Sequence, residues 1–227
     1  MIESTTGVSE DDLRETEFLD FSSPVVEAFI EKALRKAGDP SGEIERAVAL
    51  YYGVRDGIHY EVYGADAARG AFQASAIIKR GMGFCVHKSI VYAAAVRALG
   101  IPSRIVYGDV RNHLSSPRLR ELVGGDVFCF HSLTSVFLDG KWVKATPVFN
   151  KLLCHVYRIA PLDFDGRADS LYHPYDEEGR QHMEFLRMRG EFADFPYETV
   201  VSGIREAHPL LFQAEGSLAT EAASGTT

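Results

Sequence analysis

"RGMGFCVHKSIVYAAAVRALGIPSRIVYG", residues 80–108, contains the features that decide the fold. Glycines precede Cys85, and an apolar, alanine-rich run follows it up to Gly100, with Pro102 just beyond. A glycine after the last helical residue, followed closely by a proline, is typical of a helix end. The pattern therefore predicts a buried helix that begins at Cys85. Its sequel "SRIVYGDV", residues 103–110, is rich in β-branched and aromatic residues and predicts a strand.

Three more helices are predicted upstream of Cys85. The pair Ser23-Pro24 supplies a cap and a first-turn proline for a helix that runs to Gly38. Ser41 can cap a second helix, and residues 71–81 read as a short third helix closed by glycine. The second helix carries apolar residues at helical spacing on its inner face, namely Ile44, Ala47, Val48, Tyr51 and Val54.

The second half of the chain has the character of a sheet. Residues 127–149, "VFCFHSLTSVFLDGKWVKATPVF", predict a β-hairpin, because Asp139-Gly140 is a strong two-residue turn signal. From Leu162 the chain is irregular, and a single short helix is predicted through residues 180–190. Helices first and an antiparallel sheet second indicate an α+β fold, with a helical N-terminal half packed on the sheet.

Length and charge suggest how the chain is divided. The 227 residues suit one domain, expected over residues 21–213, with 46% hydrophobic and 25% charged residues. Residues 1–20 hold seven carboxylates and one arginine, and they are expected to form an acidic, flexible arm. The small, polar residues 214–227 are expected to be disordered.

Composition also narrows the classes of function. A net charge of −8 argues against a nucleic-acid-binding protein, which normally carries a basic face. No export or membrane insertion is expected, because the sequence shows neither the basic and apolar regions of a signal peptide nor an apolar run of 18 residues. Three widely spaced cysteines do not form a disulfide framework, so a cytoplasmic protein is expected.

The position of Cys85 is typical of a nucleophile. A helix N-terminus presents unpaired N–H groups and partial positive charge, which favour thiolate over thiol and can stabilise an oxyanion. Such a thiol needs a base, and His131 on the first strand of the hairpin is the best candidate. Cys129 and Cys154 lie in apolar runs, where buried, inert cysteines are common.

The hairpin also suggests which residue orients the histidine. If Leu138 faces Lys141 across the turn, Thr146 and Asn150 point to the same face as His131. A hydroxyl or an amide oxygen could accept the imidazole N–H. No carboxylate lies on this face of the returning strand.

Taken together, these residues resemble the transglutaminase-like superfamily, whose nucleophile motif G-x-C opens a helix ending in "alGIPaR". The resemblance covers residues 80–150, where "FCFHSLTSVFLDGKWVKATP" supplies a histidine on one strand and Trp142 at the start of the next. Later segments such as "WVKATPVFN" and "FDGRADS" are similar to a bacterial branch of the superfamily. The resemblance implies a transglutaminase-like, papain-like core.

Roles follow from the resemblance, residue by residue. It implies Cys85 as nucleophile, His131 as base and the position of Thr146 for the third member, where the family has an aspartate. Asn150 is the alternate third member, since an amide serves this role in Cys-His-Asn proteases.

Two classes of function remain open at this point. The first is a cysteine peptidase, amidase or transglutaminase-type acyltransferase that acts on peptide, protein or small amides through an acyl-enzyme and needs no cofactor or metal. The second is a non-catalytic scaffold or partner-binding domain, which the missing aspartate favours. A zinc site built from the pairs Cys85/His87 and Cys129/His131 is disfavoured, because its spacing departs from the usual ligand patterns.

Overall fold

The structure is a computed structural model, and it describes residues 7–113, 115–171, 178, 182–213 and 218. The helices within these residues are α1 (Pro24–Lys36), α2 (Glu43–Gly57), α3 (Ala74–Arg80), α4 (Cys85–Arg97), α5 (Pro117–Val123), α6 (Lys151–Tyr157) and α7 (Tyr197–Ala207). The strands are β1 (His59–Tyr60), β2 (Met82–Gly83), β3 (Ser103–Asn112), β4 (Val127–Leu138), β5 (Lys141–Ala145) and β6 (Met183–Phe192).

Helix α4 lies at the centre of the molecule, and each of its residues is buried. It contacts α1, α2 and α3 on one side and the strands β3 and β4 on the other. The alanine-rich sequence permits this close approach from both sides, because short side chains keep neighbouring backbones near the helix axis. The predicted α+β class is confirmed, with the N-terminal helices and the sheet sharing one hydrophobic core through α4.

The main sheet has four antiparallel strands in the order β5-β4-β3-β6. The hairpin register is the predicted one: Leu138 faces Lys141 and Thr134 faces Ala145. Strand β5 ends at Ala145, so Thr146 follows the strand directly and Asn150 lies further on, at the start of α6.

Strand β6 corrects the prediction of a helix through residues 180–190. Its residues pair antiparallel with β3, for example Tyr107 with Gly190 and Asn112 with Met183. The apolar residues of this segment fit a helical spacing as well as an extended one, and no local signal separates them. The open edge of β3 decides the outcome, because pairing there satisfies backbone groups that would otherwise be left unpaired.

The N-terminal segment contacts the domain at a few residues. Asp12, Phe18 and Leu19 are buried, whereas most of the residues between them are exposed. The Asp12 carboxylate accepts two hydrogen bonds from Arg104, both 2.9 Å long, so one of the acidic residues has a buried ionic partner. The described part of residues 1–20, where the sequence predicts a flexible arm, is thus anchored at these residues. The predicted disordered tail, 214–227, lies outside the described residues except for Leu218.

Strands β1 and β2 form a short parallel pair in front of α4. Tyr60 lies beside Gly83, two residues before Cys85. The pair therefore fixes the chain that leads into the nucleophile helix and brings Tyr60 next to it. In the described part of the chain, no helix has the length and apolar character needed to cross a bilayer.

Candidate active site

Cys85 is the first residue of α4 and is buried. Gly81, in the left-handed conformation with φ of +70°, ends α3 and turns the chain towards β2. Gly83 has no room for a side chain, because a Cβ there would lie 2.6 Å from the Cβ of His87. The glycines of the quoted motif thus allow α3 and α4 to follow each other closely, with the thiol at the junction.

His131 lies on β4, opposite Gly108 of β3. Gly108 is required there, since a Cβ would come within 2.7 Å of the Phe185 ring, which packs edge-on to the His131 ring at 6.1 Å. The helix and the strand are tied together near the site, because the Thr134 hydroxyl donates to the Ser89 carbonyl at 3.2 Å. Both elements that carry the predicted pair are therefore held by the core.

A β-bulge directly precedes His131. Gly108 pairs with His131 and Val110 pairs with Phe128, so one residue of β3 opposes two of β4. Phe130 occupies this bulge with φ of +60°, a left-handed conformation that bulky side chains rarely adopt. The Asp109 carboxylate accepts the Phe130 N–H at 3.2 Å. Bulges re-aim nearby side chains, and this one lies directly before His131.

Cys85 and His131 line one cavity of about 300 Å³. The backbone N–H of Ser132, the residue after His131, is a hydrogen-bonding neighbour of the Cys85 sulfur. The structure therefore places the predicted nucleophile and base in the wall of one cavity. Cys129 also lines it and is half-buried, whereas Cys154 is buried elsewhere.

The protonation of the pair differs from the expected thiolate. Burial raises the pKa of the Cys85 thiol to about 11, although the backbone N–H groups of Ser132 and Val86 act in the opposite direction. Burial likewise lowers the pKa of His131 to about 4. At neutral pH the resting site is therefore a neutral thiol beside a neutral imidazole. The helix terminus favours the thiolate, but removal of the sulfur from water outweighs it.

Thr146 and His131 also line a second, smaller cavity of about 20 Å³. The Nε2 atom of His131 and the Oγ1 atom of Thr146 are both buried without a hydrogen-bond partner in the described part of the chain. This volume is enough for one water molecule. The Asn150 amide oxygen instead accepts the Tyr60 N–H at 3.4 Å. Of the two candidates for the third position, Thr146 thus shares a cavity with His131, and Asn150 does not line it.

Tyr60 was not predicted as a residue of the site, and Asp109 was not predicted to support a bulge. Tyr60 lines the large cavity, and burial first, then the nearby Cys85, raise its pKa well above the usual value. The phenol therefore keeps its proton and can donate a hydrogen bond. Asp109 holds the bulge before His131. Neither role was visible in the sequence, because Tyr60 reaches the site through the β1–β2 pair and Asp109 through the sheet register.

His87 and Lys88, close to the nucleophile in sequence, are both buried in the core. Lys88 is fully buried, and its ammonium group donates to the carbonyls of Arg55 at 2.9 Å and Ile58 at 2.6 Å, at the C-terminal end of α2. His87 stacks on Phe72, with ring centroids 4.7 Å apart. In the described residues, no group of three histidine, cysteine or acidic side chains converges as a metal site would require.

The burial of His87 predicts that the protein loses folding stability in acid. Its ring nitrogens are buried without hydrogen-bond partners among the described residues, and burial lowers its pKa to about 3. The folded-state pKa lies below the unfolded value of about 6.5, so the stability gained from neutral His87 is complete above pH 6.5 and is lost as the pH falls towards 3. At pH 4.5 the free energy of unfolding is lower by about 2–3 kcal/mol for this reason.

We expect His87→Phe to remove that loss. The measurement is the free energy of unfolding by urea at pH 7.5 and pH 4.5, with the exposed-histidine variant His59→Phe as the control. His131 titrates in the same window in every variant, so only the difference between variants reports on His87. An unchanged pH dependence in His87→Phe would contradict the prediction.

A family sequence model matches the region of the chain that contains the candidate site. Residues 28–147 match the sequence model described as "Transglutaminase-like superfamily". This range includes Cys85, His131 and Thr146. No curated protein sequence matches the chain.

Solved structures give weaker similarities. One is described as a "putative cysteine protease" from Cytophaga hutchinsonii, with 14% identity and a TM-score of 0.43, and the match covers 79% of this chain and 52% of that one. Another, a "putative protease" from Parabacteroides distasonis, has 13% identity and a TM-score of 0.37 over 60% of this chain and 26% of that one. The chain thus spans about half the length of the first and a quarter of the second.

Proposed function

The chain belongs to the transglutaminase-like superfamily, and on that premise we propose that it is a cysteine-nucleophile enzyme that acts on amide bonds through an acyl-enzyme. The observation that carries the proposal is the shared cavity, in which Cys85 at a helix start and His131 on the adjoining strand face one space. This space can admit an amide carbonyl between the two side chains. The substrate class is a peptide or protein amide, or a small amide.

The neutral resting pair determines the first step. As the Cys85 sulfur bonds to the carbonyl carbon, its proton moves to His131, so the thiolate forms only during attack. The negative charge then lies on the carbonyl oxygen, where the backbone N–H groups at the start of α4 and the Tyr60 phenol are the available donors. His131 protonates the leaving nitrogen, and the C–N bond breaks to leave a thioester on Cys85.

Resolution of the thioester determines the type of reaction. Water or an amine attacks the carbonyl carbon, His131 takes its proton, and that proton returns to the sulfur as the C–S bond breaks. Water makes the protein a peptidase or amidase, and an amine makes it an acyltransferase. Every group needed for these steps belongs to this chain or to the substrates.

Thr146 is proposed as the group that orients the imidazole. Both side chains border the 20 Å³ cavity and neither polar atom has a direct partner among the described residues, so the proposed link runs through one water molecule. A hydroxyl does not carry the charge of the family's aspartate, so it stabilises the imidazolium less. The low pKa of His131 fits an imidazole without a carboxylate partner.

The test is to trap the acyl-enzyme. After incubation with a p-nitrophenyl ester and a rapid acid quench, we expect the mass of one acyl group on the peptide that contains Cys85. Cys85→Ala should remain unmodified, and Cys129→Ala, a matched change in the same cavity, should acylate normally. Incorporation of monodansylcadaverine into a protein substrate then separates acyl transfer from hydrolysis.

A non-catalytic scaffold is the second candidate. It is favoured by Thr146, which stands where the family has a carboxylate, and by an imidazole Nε2 that has no partner in the described residues. The same trap distinguishes the two. A protein that never acylates at Cys85, while its fold is intact by circular dichroism, would be a scaffold.

A further inference from the structure

The cavity beside Cys85 is walled by hydrocarbon from several parts of the chain. Helix α5 contributes Leu119 and Val123, α7 contributes Ile204, and Phe128 and Met183 come from the sheet. None of the described residues that line the cavity is an aspartate, glutamate, lysine or arginine. A charged substrate group would therefore enter it without an ionic partner.

Two polar side chains in the wall are already engaged by the protein. The Nδ1–H of His208 donates to the Val123 carbonyl at 2.7 Å, and its Nε2 accepts the Cys129 N–H at 2.9 Å. The Ser116 hydroxyl accepts the Leu119 N–H at 3.1 Å, as the cap of α5. His208 therefore has no ring nitrogen left for a ligand. The groups proposed to react with a substrate are those of Cys85 and His131, which line the same cavity.

Leu218 adds another aliphatic side chain to the cavity wall. This residue is buried, as is Leu211 in the same wall. The Leu218 N–H donates to the Glu61 carboxylate at 3.0 Å, which fixes its position. Aliphatic side chains from the C-terminal part of the chain thus extend the hydrocarbon surface of the cavity.

We propose that this cavity binds a large, uncharged hydrocarbon group on the acyl side of the substrate. The substrate class is then an amide whose acyl part ends in an aliphatic or aromatic group, placed so that its carbonyl meets Cys85. The inference rests on the proposed function for the chemistry at the thiol. It adds a selectivity for the acyl group of the substrate, which the family assignment does not supply.

The size of the effect follows from the hydrophobic effect. Each methylene that leaves water for an apolar cavity should increase kcat/KM about fourfold until the space is filled. A terminal charge buried there without a partner should lower kcat/KM by on the order of 100-fold or more. A chain-length series and a charge series therefore test the same cavity independently.

The experiment uses the full chain and aminomethylcoumarin amides of acetic, butanoic, hexanoic and octanoic acids. Hexanoyl is compared with 6-aminohexanoyl and with adipoyl, which have similar lengths and opposite charges. We expect kcat/KM to rise with chain length and to fall for both charged acyl groups. Equal rates along the series, or a preference for a charged acyl group, would overturn the proposal.

Variants of the wall locate the effect. Val123→Phe should fill the cavity and shift the preferred acyl group to a shorter chain, and Leu218→Ala should enlarge it and shift the preference to a longer chain. Val156→Phe is the matched control, because Val156 is exposed on α6 and does not line the cavity. An unchanged length preference in both wall variants would place the hydrocarbon elsewhere and refute the assignment.

The rate of alkylation at Cys85 tests the cavity even if the proposed enzymatic function is wrong. If no amide is turned over and Cys85 is never acylated, the enzyme proposal fails, but the cavity can still be probed by alkylation. Iodoacetamide is compared with N-hexyliodoacetamide for the rate at Cys85, with N-acetylcysteine giving the intrinsic reactivity of each reagent. A relative acceleration of tenfold or more for the hexyl reagent supports the cavity assignment, and a smaller one overturns it.

Discussion

Replacing His131 by alanine is expected to lower kcat by on the order of 10³-fold, because its imidazole is the base proposed for the Cys85 thiol. Burial raises the pKa of Cys85 to about 11, so almost no thiolate exists at neutral pH without a proton acceptor. Cys85→Ala should abolish turnover. The double variant should be no worse than Cys85→Ala alone, since the two residues act in one step.

The pH dependence of kcat/KM tests the role of His131 as the base. His131 acts as a base only when neutral, and burial lowers its pKa to about 4. We expect kcat/KM to be constant from about pH 5 upwards and to fall below it, with the acidic limb near pH 4 and none near 6.5. Initial rates after brief exposure to acid separate this limb from unfolding.

Two outcomes would contradict this account. An acidic limb near pH 6.5 would mean that the imidazole is solvated in the working enzyme. A loss of less than tenfold in His131→Ala would mean that another group takes the thiol proton. His155→Ala is the control, because this histidine is exposed on α6.

The local features of the site could be predicted from the sequence. The glycines before Cys85 and the Asp139-Gly140 turn act over a few residues, so their consequences can be worked out by position alone. The hairpin register followed from that turn, with Leu138 opposite Lys141 and Thr134 opposite Ala145. Such inferences succeed because backbone geometry within a few residues is nearly independent of the rest of the fold.

Features that depend on distant segments could not be predicted. Strand β6 was predicted as a helix, because its partner β3 lies some eighty residues earlier in the chain. The thiol was expected to be acidic, because the helix terminus is visible in the sequence and burial is not. The Asn150 amide oxygen instead accepts the Tyr60 N–H, a contact across 90 residues of sequence.

The positive φ of Phe130 raises the question of what maintains the bulge before His131. A left-handed conformation at a bulky residue costs on the order of 1–3 kcal/mol and persists only when its surroundings impose it. Asp109 is the main restraint: it accepts the Phe130 N–H and pairs with Arg187 at 2.6 Å and Arg189 at 2.5 Å. The guanidinium of Arg189 in turn lies over the Phe130 ring, 3.9 Å from its centroid.

Packing supplies the second restraint on the bulge. The Phe130 ring lies against Gly203 of α7, where an added Cβ would come within 2.3 Å of it. The ring is thus held between a helix that has a glycine at the contact and an arginine that Asp109 fixes. We expect Asp109 to act on catalysis through this chain, as a positioning residue for His131.

Asp109→Asn is therefore expected to lower both stability and activity. The carboxylate is buried, and its loss leaves Arg189, 23% exposed at its side chain, without its ionic partner. Arg187 is 63% exposed and returns to water at little cost. The free energy of unfolding should fall by about 3 kcal/mol. Glu17→Gln, which breaks an exposed pair with Arg69, is the control and should cost less than about 1 kcal/mol.

The effect on catalysis separates positioning from stability alone. At a temperature where Asp109→Asn is fully folded, kcat should still fall on the order of tenfold, because the imidazole is no longer aimed at the thiol. The acidic limb should also move upwards, since a bulge that opens admits water to His131 and relieves its burial. Gly203→Ala offers an independent check, because it displaces the Phe130 ring while leaving the Asp109 pairs in place, and it should lower kcat in the same way. If Asp109→Asn loses stability but keeps both kcat and the acidic limb of the wild type, the carboxylate only supports the sheet, and the direction of His131 is set by the backbone of β4 alone.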